Sequence, residues 1–115
     1  MPNITYDDFT KLDLRVALVK QAKRVPETDK LIQLTLDVGD EAEGGLGERV
    51  IVSSIKPWYE PEELVGKQII YLANLEPRKI RGVISQGMLL ATEKDGSLSL
   101  LTLDNDQMKP GNRVG

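Results

Sequence analysis

The sequence predicts an all-β fold: a five-stranded barrel with one short helix between strands three and four and short N- and C-terminal extensions. Three observations predict it. Apolar and polar residues alternate with period two in several short runs. Turn-forming residues separate the runs. Only one stretch between the third and fourth runs carries both a helix start and a helix stop.

Taken in order, Asp7 to Lys11 reads as a short helix, with Thr5 as its cap and Asp7 and Asp8 in the first turn. The first strand follows, with Leu14, Val16 and Leu18 alternating with Arg15, Ala17 and Val19. The second has the cleanest alternation: Ile32, Leu34, Leu36 and Val38 against Gln33, Thr35 and Asp37. Glu41 to Glu48 is an acidic, glycine-rich hairpin loop, and Val50 to Val52 is the third strand. Between Tyr59 and Lys67, early Pro61, Glu62 and Glu63 in the first turn, and Gly66 at the end mark the helix. Gln68 to Leu75 is the fourth strand and Met88 to Thr92 the fifth. After a turn at Lys94-Asp95-Gly96-Ser97, Leu98 to Leu103 adds a short strand. Five strands with a helix between the third and fourth is the order of an OB-fold, although the spacing alone also allows an SH3-like barrel.

At 115 residues the chain has room for one domain, 1–115, and the absence of linker or repeat agrees. There is no cysteine and no histidine. Disulfides, thiolate nucleophiles, cysteine-ligated metals and His-based acid–base catalysis are thereby excluded. No catalytic residues, metal ligands or cofactors are expected, and an enzyme would have to work through carboxylates alone. Adjacent carboxylates such as Glu62-Glu63 do not face each other on a helix, so they read as helix-start charge. Gly44-Gly45-Leu46-Gly47 lacks the Lys-Ser/Thr of a phosphate loop and reads as a turn. Asp104-Asn105-Asp106 lacks the rest of a calcium loop. The start of the chain has no signal-peptide pattern, and no apolar run approaches the ~20 residues of a membrane helix. A cytoplasmic protein without a membrane partner is the expectation.

Net charge is −3, but its layout is uneven. Lys11, Arg15, Lys20, Lys23, Arg24 and Lys30 face only Asp13, Glu27 and Asp29 between positions 11 and 30; Lys67, Arg78, Lys79 and Arg81 face only Glu76 between 64 and 92. Two basic stretches in an acidic chain can form a phosphate-attracting face if the fold joins them, or two solvated faces if it does not. Pro77 to Gly82 places three cations in four positions on an expected loop, where they can grip successive phosphates. Ser85-Gln86-Gly87-Met88 follows, with a hydroxyl, an amide, a permissive glycine and a flexible apolar side chain. A ligand-contact strip and a solvated loop entering a core strand explain these residue types equally well. The aromatics are few, and none lies beside a basic cluster in sequence, so an RNA ligand would be read by backbone and shape.

Several motifs then read in order: Asp8-Phe9-x-Lys11-Leu12-Asp13-Leu14-Arg15-Val16, Thr28-Asp29-Lys30-Leu31, Arg49 to Ser53, Pro61 to Lys67, Ala73-Asn74-Leu75-x-Pro77-Arg78-Lys79-x-Arg81-Gly82, and Ser85 to Ala91. Together they resemble the tRNA-binding domain of methionyl-tRNA synthetases, which also occurs as a β subunit, as a free-standing tRNA-binding protein and in a cytokine. The resemblance runs from about Ile4 to the end. It implies an OB-fold, a homodimer, and tRNA binding by shape in support of a methionyl-tRNA synthetase, with no catalysis of its own. Carried over residue by residue, Lys30, Arg49, Ser53, Asn74, Arg78, Lys79, Arg81, Ser85, Gln86 and Met88 would line the RNA face. Tyr6, Phe9, Leu98, Leu100, Leu101 and Leu103 would form the dimer interface.

The chain departs from the family at Val25, often His; at Thr28, often a smaller residue; at Ser54, often Gly; and at Ile84, often an acid. None of these removes a cation. A chaperone branch of the same barrel, the CsaA type, is the alternative: a dimeric protein-binding module of export. It lacks an intact Ser-Gln-Gly-Met block, which this chain keeps at Ser85 to Met88.

Overall fold

A computed structural model describes all 115 residues. Helix α1 (Tyr6–Thr10) begins as its sequence dictates: Asp8 N–H donates to the Thr5 hydroxyl at 3.1 Å, and Thr5 N–H donates back to the Asp8 carboxylate at 3.3 Å. The strands are β1 (Leu14–Arg24), β2 (Ile32–Asp37), β3 (Glu48–Ser53), β4 (Gln68–Leu72), β5 (Arg78–Ile80), β6 (Val83–Ser85), β7 (Met88–Leu89), β8 (Ala91–Lys94), β9 (Ser97–Leu100) and β10 (Arg113–Val114). Helix α2 (Pro61–Leu64) lies between β3 and β4.

Strands β3, β2, β1, β4 and β7 pair antiparallel in that spatial order, forming a nearly closed five-stranded barrel. β1 is the hinge of the architecture. Its first half, Leu14 to Leu18, pairs with β4, and its second half, Leu18 to Arg24, pairs with β2. The register shifts between Val19 and Gln21, a bulge that lets one long strand turn the corner between two sides of the barrel. The alternation in β2 is fully realised: Ile32, Leu34 and Leu36 are buried and Gln33, Thr35 and Asp37 are not.

The core comprises 13 residues, with Leu34, Leu36, Ile51, Ile69 and Tyr71 at its centre. Leu64, from α2, is fully buried against it. Removing such side chains from water drives the fold, each by about 1.5–3 kcal/mol. No helix is long and apolar enough to cross a membrane.

Four expectations are corrected. The fourth strand ends at Leu72 rather than Leu75, because the chain turns at Ala73 to Leu75. Pro77 to Gly82 is not an open loop, since β5 and β6 form a hairpin with Ile80 opposite Val83. The fifth strand is split: β7 pairs with β4, then β8 leaves to pair with β9. The C-terminus adds β10 beside Leu14 and Arg15 of β1, which two residues without alternation could not announce.

Candidate nucleic-acid interface

The first question is which cations are free. Four of the six in the first basic stretch are held by acids. Lys11 pairs with Asp8 at 3.1 Å, Arg15 with Asp13 at 2.6 Å, Lys20 with Glu48 at 2.8 Å and Arg24 with Glu60 at 2.6 Å. Lys23 and Lys30 remain. In the second stretch no cation is in an ion pair: Lys67, Arg78, Lys79 and Arg81 all lack an acidic partner within 4 Å. Arg49, Lys94 and Lys109, outside both stretches, are unpaired as well; the tightest group of unpaired cations in the chain is Arg78, Lys79 and Arg81 on the β5–β6 hairpin, all three exposed.

The hairpin turns on Arg81 and Gly82, with φ of 51° and 82°. Both central residues are left-handed, the tight turn whose twist matches antiparallel strands. Gly82 suits it; an arginine at the first position does not, and its Cβ makes the conformation costly. The β8–β9 hairpin makes a similar turn with Asp95 and Gly96, at 52° and 80°, a favoured pair for that geometry. Arg81 thus takes at the hairpin tip the conformation that Asp95 takes in the Asp-Gly turn of β8–β9. It lines a shallow depression with Lys30 and Ser54, on whose walls Glu27 and Asp29 also lie.

Ser85-Gln86-Gly87-Met88 closes the barrel. The Val52 N–H donates to the Ser85 hydroxyl at 3.0 Å, and the Val50 N–H donates to Gln86 Oε1 at 3.0 Å. The Gln86 N–H donates to the Val50 carbonyl at 2.8 Å. Two side chains thus supply acceptors where β3 has no strand partner, which buried N–H groups require. Gly87 has φ of 91°, and a Cβ there would stand 2.3 Å from the Leu72 carbonyl oxygen and 2.8 Å from the Tyr71 ring. Only glycine fits. The Tyr71 hydroxyl donates to the Gln86 carbonyl. Burial pushes the Tyr71 phenol upward, against the opposing pull of the nearby Arg49 guanidinium.

The residues expected on the RNA face differ in how far the fold already engages them. Ser85 is 5 % exposed with its hydroxyl engaged by Val52, so it holds the strip to β3 and offers little to a ligand. Asn74 is likewise committed: the Asp13 N–H donates to its Oδ1 at 2.9 Å, and its Nδ2 donates to the Lys11 carbonyl at 2.6 Å. It latches the turn after β4 to the segment between α1 and β1. Gln86 has its oxygen engaged, while its amide nitrogen donates to no protein group. Lys30 is exposed, Arg49 and Ser53 are half-buried, and Met88 is exposed beside Arg78.

Of the expected interface residues, Leu100 is buried in the core and Leu98 packs against it, because β9 covers the barrel of its own chain. Leu101 is exposed, Leu103 half-buried, and Tyr6 and Phe9 sit on α1 with ring centroids 6.2 Å apart. Trp58, expected from sequence only to anchor the helix region, lines an apolar groove that also includes Ile80, Met88 and Arg78. No sequence signal places it there, because only barrel closure brings the loop before α2 against the β5–β6 hairpin.

The chain and its barrel resemble known proteins. The family described as "Putative tRNA binding domain" matches residues 14–113. A methionine–tRNA ligase of Parabacteroides distasonis is 48% identical over 113 residues, covering 97% of this chain and 16% of the ligase. The chain thus spans about a sixth of the length of such ligases. The crystal structure of a MetRS-related protein from Pyrococcus horikoshii superposes with a TM-score of 0.89 at 39% identity, covering 100% of both chains. The chaperone CsaA of Bacillus anthracis str. Ames superposes at 0.84 with 27% identity, covering 99% of this chain and 100% of its own. By its motifs, its barrel and these likenesses, the chain belongs to the tRNA-binding domain family found in methionine–tRNA ligases.

Proposed function

We propose that the chain is a single non-catalytic domain that binds tRNA by shape and charge and presents it to a methionyl-tRNA synthetase, as a β subunit or as its C-terminal domain. The observation that carries this reading is the set of three unpaired cations on the β5–β6 hairpin. Arg78, Lys79 and Arg81, with Lys30 and Arg49, neutralise phosphates; Ser53, the Gln86 amide nitrogen and Met88 contact sugar or base edges. Asn74 and Ser85 position that surface. The module makes no bond. It raises the local concentration of tRNA at a catalytic partner. Cytoplasmic residence follows from such a role, and a homodimer formed through Tyr6, Phe9, Leu101 and Leu103 would set two RNA faces on one particle.

A second reading, the CsaA-type dimeric export chaperone, is favoured by the likeness to CsaA and by the apolar groove. A competition titration separates the two. Labelled unfractionated tRNA is bound, then challenged with unlabelled tRNA, duplex DNA, unstructured RNA and an unfolded polypeptide at two salt concentrations. The tRNA reading expects displacement by tRNA alone at stoichiometric amounts and a steep loss of affinity with salt. Displacement by the polypeptide, or no tRNA preference at either salt, transfers the assignment to the chaperone reading.

A further inference from the structure

The apolar groove has a volume of about 380 Å³ and opens beside the basic hairpin. Ile51, Ile55, Leu98 and Met88 contribute apolar wall, and Trp58 contributes the one large aromatic surface. The Trp58 Nε1–H donates to the Gly96 carbonyl at 2.9 Å, so the indole is pinned to the β8–β9 hairpin with its hydrogen bond already made. A ring whose polar atom is satisfied by its own chain offers a ligand apolar and π contact rather than a hydrogen bond. Arg78, exposed and without an acidic partner, lines the same groove; Glu93 is the single acid on its walls. An apolar groove with an aromatic residue on its wall, a guanidinium in its lining and further unpaired cations on the adjoining hairpin has the chemistry that suits one nucleotide: base inside, phosphate outside.

We propose that this groove holds a single unstacked nucleobase of the bound RNA against Trp58, with Arg78 on its flanking phosphate. The inference rests on the tRNA-binding reading and deepens it. Shape recognition by the hairpin sets overall affinity, and the slot adds a contact only a loop or an end can make, because a base within a helix cannot leave its stack without cost. Glu93 accepts a hydrogen bond from an exocyclic amino group, so the slot prefers cytosine, adenine or guanine to uracil.

Trp58 is the only tryptophan, so its emission reports on the groove alone. Emission of the intact chain is followed while tRNA, short unstructured RNA, fully paired RNA duplex and an apolar peptide are added, with binding measured separately by filter retention. The proposal expects tRNA and unstructured RNA to quench Trp58 and duplex to bind without quenching. Trp58→Ala should lose affinity for tRNA by about tenfold, and Trp58→Phe, which keeps a stacking ring, should lose no more than about threefold. Met88→Ala provides a second variant that leaves the Gly96 contact in place and should weaken the quench. Retained tRNA binding with unchanged emission overturns the slot while leaving the tRNA-binding reading intact. Quenching by the peptide that RNA does not reverse overturns it in favour of a protein-binding groove. Loss of tRNA retention by the unaltered chain would instead fail the reading on which the slot rests.

Discussion

Asn74, placed on the RNA face by the family resemblance, has both its polar atoms bonded to the backbone of Lys11 and Asp13. A hydrogen bond of this kind contributes about 1 kcal/mol net, and leaving partners unmet costs more. Asn74→Ala is therefore expected to lower unfolding free energy by about 1–2 kcal/mol in a urea titration, with tRNA affinity at fixed salt unchanged. Weaker tRNA binding at unchanged stability would return Asn74 to the RNA face. Ser85, expected on the same face, has its hydroxyl engaged within the fold. A hydroxyl's partner is fixed by which unpaired N–H the fold brings near it, and the Val52 N–H lies far away in sequence. Gly87 was legible in part: a permissive residue is evident from its type, but the Leu72 carbonyl that requires it is not.

At the scale of elements, legibility followed periodicity. β2 and the capped start of α1 matched expectation because alternation and capping are local. The β5–β6 hairpin was missed because three-residue strands carry too little alternation, and Arg-Gly is not a favoured turn pair. That turn separates stability from binding. Asparagine tolerates the left-handed conformation better than arginine. Arg81→Asn is expected to hold or raise thermal stability, by up to about 1 kcal/mol. It should also weaken tRNA binding and reduce the salt slope by about 0.7–0.9, the share of one phosphate contact. Thermal melts and salt-dependent titrations of one variant check both halves. A destabilised protein would show that the arginine side chain braces the hairpin.

Across the whole molecule, one ionic cluster ties the two ends of the chain together. Asp13 accepts from Arg15 at 2.6 Å and lies 3.5 Å from Arg113 of β10, while Arg15 also donates to the Gly44 and Gly111 carbonyls. The hydrogen bond from Arg15 leads in holding the Asp13 carboxyl below its ordinary 3.8, with Arg15, Arg113 and Arg49 adding charge attraction against the cost of partial burial. A lowered folded value stabilises the protein above the unfolded one, and that contribution is lost as pH falls through the folded value. Asp13→Asn should thus cost about 1–3 kcal/mol at neutral pH, and the gap from the unaltered protein should narrow below about pH 3. Urea titrations at both pH values check it; a gap independent of pH would mean that Asp13 acts by shape alone. The same pairing shapes the molecule's charge. Acids pair with four of the six cations of the first basic stretch, and of the nine cations left unpaired in the chain three lie within four positions on one hairpin. Sequence counting gave both stretches equal weight because pairing across strands is set by register, as between Lys20 of β1 and Glu48 of β3.

The most direct test of the β5–β6 hairpin's role is the slope of log affinity for tRNA against log salt, measured for the unaltered chain and for Arg78→Ala/Lys79→Ala/Arg81→Ala. Losing three phosphate contacts should flatten the slope by about 2–3 and weaken binding strongly at low salt, while the same substitutions at Lys11, Lys20 and Arg24 leave the slope nearly unchanged. Equal slopes for the unaltered chain and the hairpin variant would contradict the account, because the unpaired cations of β5–β6 would then not be where the RNA is held.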